Sequence, residues 1–181
     1  MKFEHYLKRA EESKEYKKFK QEHGKAYLCA GFFVLDFETG KHTHQVDYFI
    51  PNSKKIATFV LDEGVDMKIS EEMKMKTKLE KMEEEVKIDL DALKGIVEDE
   101  MHNRTITQQV KKIIAVLQKQ DGKYVWKLNC ITDGMGIIKV HVNDDTSNIL
   151  EFEKINLFDI MRMIPKGADL KLPGKQDNKA Q

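Results

Sequence analysis

Apolar and polar positions alternate one for one in the last third of the chain. Tyr124, Trp126, Leu128 and Cys130 are separated by Val125, Lys127 and Asn129, and Ile138, Val140 and Val142 by Lys139 and His141. Leu150 and Phe152 likewise alternate with Glu151 and Glu153. This period of two is that of strands with one buried and one wetter face. Turn residues at Thr132, Asp133 and Gly134, and again over 143–148, separate the runs, so residues 122–154 are expected to form three antiparallel strands. The same signature occurs earlier. Residues 25–37 form a run apolar on both alternating faces, which predicts a strand covered on both sides, and residues 42–50 and 55–62 follow as second and third strands.

Three- and four-residue spacings mark the helices. Phe3, Tyr6, Leu7, Ala10, Tyr16 and Phe19 predict a helix over 3–22, stopped by His23 and Gly24. Ile106, Val110, Ile113, Ile114 and Leu117, preceded by Thr105, Ile106, Thr107 and Gln108 as a capping box, predict another over 105–118. Each meander is thus preceded by a helix. Several anchors match between the halves, among them Asp36 with Asp133 and Phe59 with Phe152, so an internal repeat is expected. The fold class is α+β: two helix-plus-three-stranded antiparallel meander modules (α-β-β-β twice) joined by an acidic helical segment. The divisions fall at 1–64 for the first module, 65–104 for the connector, 105–164 for the second module and 165–181 for a disordered tail. Within the connector, helices are expected over 71–84 and 90–102, the latter capped by Asp89, and a short helix over 157–163 closes the second module.

Composition narrows the function classes. Lys and Arg number 31 and Asp and Glu 31, for a formal net charge of zero. That removes the counterion release behind non-specific nucleic-acid binding, so no nucleic-acid partner is expected. Without an apolar leader or a spanning run, neither a membrane partner nor secretion is expected, and the protein is placed in the cytoplasm. Cys29 and Cys130 lie within apolar strands and are expected to be buried free thiols.

Residues able to carry chemistry are sparse. His42 and His44 share a strand face and could both turn to a metal, but Asp47 lies on the opposite face, so exposed strand residues are the simpler expectation. His141 is expected to pair with Glu151 or Glu153 across the strands. Gly134 and Gly136 belong to a turn with no following helix, and so make no phosphate loop. Met67, Met73, Met75 and Met82 are expected to fill core space. No catalytic, cofactor-binding or metal residue is assigned, and no cofactor is expected.

The order of signals from 88 to 154 resembles a PepSY-type domain. The resemblance is carried by Ile88 to Leu93, Val110 to Leu117, the run Asp121-Gly122-Lys123-Tyr124-Val125-Trp126, and Asp145-Thr146-Ser147-Asn148-Ile149-Leu150. Ser147 stands where that family usually has glycine, which would leave Asn148 to take the left-handed turn conformation. The resemblance implies a helix lying across an antiparallel sheet and a protein that binds or restrains peptidases, with no catalytic residues. The chain is therefore expected to be a non-enzymatic protein- or peptide-binding module. A small-ligand carrier or sensor using a cup between helix and sheet is the alternative, and an enzyme of unrecognised type a further one. A monomer is expected in preference to a homodimer, provided the chain itself covers the second face of the strand over 26–35.

Overall fold

A computed structural model describes residues 2–72, 79–83 and 85–156. The chain builds one antiparallel sheet of eight strands, and their spatial order is β4-β3-β2-β1-β5-β6-β7-β8. These are β1 (Tyr27–Asp36), β2 (Thr43–Ile50), β3 (Lys55–Val60), β4 (Asp66–Ile69), β5 (Val110–Gln120), β6 (Lys123–Thr132), β7 (Gly136–Asn143) and β8 (Ile149–Asn156). Helices α1 (Phe3–Glu11) and α2 (Lys14–Glu22) precede β1, and α3 (Ala92–Asn103) precedes β5. The two expected three-stranded modules are therefore not present. A single sheet runs through both halves, joined by the antiparallel pairing of β1 with β5 from Ala30–Gln118 to Asp36–Lys112.

The decisive difference is β5, where a helix over 105–118 was expected. Ile113, Ala115 and Leu117 are fully buried on one face, while Ile114 and Val116 lie on the other. Two interleaved alternating sets generate three- and four-residue spacings by coincidence. The β-branched side chains, and neighbours on both sides of the strand, favour extended backbone. Thr105, expected in a capping box, has a φ of 57°. The expected first helix is also two helices. Ser13 ends α1 by donating its hydroxyl to the Ala10 carbonyl (2.6 Å) and opens α2 by accepting from the Tyr16 amide (3.1 Å). β4, charged and only four residues long, had no sequence signal. Residues 71, 72 and 79–83 of the connector are not helical; the rest of the helix expected over 71–84, the helix over 157–163 and the tail over 165–181 lie outside the described residues. α3 lies close to its expected span. Asp91 rather than Asp89 is its N-cap residue, and the Asp91 side chain makes no capping hydrogen bond.

All three helices lie on one face of the sheet. Phe3, Tyr6 and Ala10 of α1, Phe19 of α2, and Leu93, Val97 and Met101 of α3 join a single apolar cluster with Phe33, Phe59, Ile113, Trp126, Leu128 and Val140. Gly31 permits the close docking of α1, because a Cβ there would sit 2.7 Å from the Phe3 ring and 2.8 Å from that of Phe33. Residues 79–83 and 85–90 run as a strap along the strand ends. The Met82 amide bonds to the Leu28 carbonyl (3.0 Å), and the Glu80 carboxylate accepts from the Asp121 and Gly122 amides at 2.7 and 3.0 Å. Asp144, 1 % exposed, pins the end of this strap, accepting from the amides of Lys87 (2.7 Å) and Ile88 (3.0 Å) and from Trp126 Nε1 (2.9 Å). In the turn that carries Asp144, it is Ser147 (φ 57°) that takes the left-handed conformation expected of Asn148.

Candidate interaction surface

Alternation along strands with one covered face determines what the other face presents. On β1, Phe33 and Leu35 point into the helix-side core, so Phe32 and Val34 point away from it. Phe32 lies beside Val116 and Val34 beside Ile114 across the central strand pair. These four side chains are half-buried and take no part in the helix-side core. Val60 of β3, Phe49 of β2, and Ile131 and Ile137 of β6 and β7 extend the apolar set outwards. Cys29, Ala30 and Val125 are buried without belonging to the helix-side core. Among the described residues, no helix packs on this open face.

Polar groups flank the apolar middle. On β2, Asp47 accepts a 2.6 Å hydrogen bond from Thr58 Oγ1, and burial raises its pKa above the usual carboxylate value. On the other flank, Lys127 of β6 lies beside Val116 of β5 and His141 of β7. Farther out, His141 Nδ1 meets Glu151 at 2.7 Å, the cross-strand pair expected from the alternation, and Lys139 approaches Glu153 at 3.7 Å. Lys112 bonds Asp36 at 2.9 Å. The Asp36 carboxylate also accepts from the Glu38 and Thr39 amides, and its pKa is lowered, first by the Thr39 amide and then by Lys112.

The His42 and His44 rings meet edge to face at a centroid distance of 6.2 Å, but each is held by a different partner. His42, just outside β2, accepts the Asp36 amide on Nδ1 (3.1 Å), whereas His44 places Nδ1 3.2 Å from Asp62 Oδ1 and stacks on the Tyr6 ring at a centroid distance of 4.5 Å. Burial lowers the pKa of His44 although Asp62 opposes the shift. His44 thus belongs to the helix-side face rather than to an exposed strand edge, and it is only partly exposed. Among the described residues, no group of three or more His, Cys, Asp or Glu residues could hold a metal ion. Cys29 and Cys130 are free and buried, and burial pushes each thiol up to about 12, which suppresses thiolate nucleophilicity. Met82 is buried in the core and Met67 packs against it; Met73 and Met75 lie outside the described residues. Gly134 (φ 72°) forms a tight turn between β6 and β7.

A second feature had no local signal. Leu7, Glu11 and Tyr16 of the two N-terminal helices, with Leu28, Tyr48 and Met82, line a cleft of about 500 Å³. Tyr48 donates to Glu11 Oε1 at 3.0 Å and Tyr16 to the same oxygen at 3.4 Å, and burial raises the pKa of both phenols. These residues are brought together by the packing of α1 and α2 on β2, which no spacing within one element encodes.

The chain matches no protein-family model and no curated protein. In fold it is similar to a protein described as a "putative lipoprotein" from Clostridium difficile 630, with a TM-score of 0.50 and 13 % identity over 77 % of this chain and 89 % of that one. At that identity the likeness concerns the fold alone. No helix among the described residues is long and apolar enough to cross a membrane.

Proposed function

We propose that this protein is a non-enzymatic binding module whose open sheet face docks a partner protein. The observation that carries this reading is the contiguous group Phe32, Val34, Ile114 and Val116, centred on the two middle strands and outside the helix-side core. An antiparallel sheet with one solvated face normally alternates apolar-in and polar-out. Here the outward residues of the central strands are aromatic and β-branched, a composition suited to burial against another surface. Restraint of a peptidase, which the PepSY resemblance implies, is one form such docking could take.

Photo-crosslinking tests the reading. A benzoylphenylalanine at Phe32 or Val116, in the full chain expressed in its source, is expected to give discrete protein adducts. The same probe at Lys17, exposed on α2, should give none. Absence of adducts from both face positions, or equal labelling at Lys17, would remove it.

The cleft between α1, α2 and β2 favours a second reading as a small-ligand carrier. Its volume lies in the range of ligand sites, and an aliphatic wall there faces convergent Tyr and Glu oxygens. Under this reading Tyr48→Phe weakens ligand binding and leaves crosslinking at Phe32 unchanged.

A further inference from the structure

The open face raises the question of what occupies it, and the helices leave few answers. α1, α2, α3 and the strap residues 79–83 and 85–90 all lie on the Phe33 side or along the strand ends. The covers this chain could offer from its described helices are therefore already spent on one face. We infer that the occupant is a second copy of this chain, packed face to face about a two-fold axis running along the β1–β5 pair. This rests on the protein-docking reading above.

Three observations point to self-association rather than to a foreign surface. The first is position: β1 and β5 are the fourth and fifth of eight strands, so the apolar residues sit at the middle of the sheet. A two-fold contact repeats one patch on both partners, and an apolar centre on the axis meets its own image. The second is charge. Rotation about that axis exchanges β6 with β2 of the other copy and β7 with β3. Lys127 is carried one strand from the centre on one side, and Asp47 one strand from the centre on the other. Their registers differ by one step of two residues, because Lys127 aligns through Val116 and Phe32 with Gln45 while Asp47 lies two residues on. That step is about 7 Å along a strand, within the combined reach of a lysine side chain and the roughly 30° crossing of aligned sheets. Each copy would thus contribute a Lys127–Asp47 contact, two per dimer. The third is size. Eight strands about 4.8 Å apart, four to eleven residues long and averaging about eight at 3.3 Å per residue, give the whole face a footprint of roughly 900 Å². A standard stable interface covers about 800 Å² per partner.

Sedimentation velocity on the full chain over a concentration series tests the inference. The expected result is a concentration-dependent dimer. Phe32→Asp should raise its dissociation constant on the order of a hundredfold, as loss of a central anchor does. Lys127→Glu, which leaves the apolar centre intact, should raise it about tenfold, with the difference shrinking at high salt. Both variants should keep the native far-UV circular dichroism and Trp126 emission, since neither side chain belongs to the helix-side core. A chain that stays monomeric throughout, or a dimer that both variants leave intact, overturns the inference. The crosslinks separate its failure from that of the docking reading: a monomeric chain whose Phe32 adducts have a mass other than twice the chain's sinks the second copy alone, whereas loss of all adducts sinks both.

Discussion

Asp144 sits in a run of polar turn residues, 143–148, that resembles an ordinary hairpin loop, yet its carboxylate is almost completely buried. It accepts from two backbone amides of the strap and from the indole of Trp126. Carboxylate oxygens only accept, so one side chain satisfies three donors at once, with the Ile88 and Trp126 bonds buried and the Lys87 bond partly so. Asp144→Asn keeps the size but turns one oxygen into an NH₂ that must face the Lys87 amide, donor against donor. The expected cost is about 1–3 kcal/mol, the range for a donor left unmet, and urea unfolding would measure it. An unchanged midpoint would mean that water, and not Asp144, satisfies the strap. The burial of Trp126 was legible in the alternation of β6, because a large aromatic on the apolar set of a half-buried strand has only one side to go. The role of Asp144 was not legible. Its partners lie 56 and 57 residues away in a segment without periodicity, and only the fold brings them to the turn.

At the scale of elements, period two was a dependable signal and the helical spacing was not. β1, β2, β6, β7 and β8 could be placed from alternation and turn residues, and β3 to within two residues at one end. β5 could not, because a central strand is apolar on both faces, and two overlapping alternations present every third and fourth position as apolar. Misplacing that one strand divided a continuous sheet into modules. The open face was half legible: both faces of β1 called for cover, and the structure gives one face to the helices and leaves the Phe32 face outside the core. Gly31 shows how tightly the covered face is fitted. Gly31→Ala is expected to lower stability by about 1–3 kcal/mol, because the new methyl group overlaps the Phe3 and Phe33 rings. Trimming Phe3 relieves part of that overlap. Gly31→Ala combined with Phe3→Ala should therefore cost less than the sum of the single changes, and additivity in chemical unfolding would show that α1 does not dock where described.

At the scale of the molecule, one sheet and one core predict one transition. Phe59 on β3 and Trp126 on β6 belong to the same apolar cluster although four strand steps separate them across the sheet. The link is physical: the Phe59 ring packs on Phe19 and Tyr48, and Phe33 of β1 touches both Tyr6 of α1 and Trp126, at ring-centroid distances of 5.6 and 5.9 Å. β1 and β5 lie at the centre, so breaking the sheet there would expose two long strand edges and tear the cluster apart, which makes independent melting of the halves unfavourable. Trp126 is the chain's single tryptophan, so its fluorescence reports from the β5–β8 side alone. Phe59→Ala, made on the opposite side, removes a fully buried ring and should cost about 3–5 kcal/mol. With a single cooperative unit, that loss moves the Trp126 unfolding midpoint in denaturant by the same amount as the transition seen by far-UV circular dichroism. With two independent modules the Trp126 midpoint would stay where it is while circular dichroism splits into two steps, and the continuous core described for this protein would be wrong.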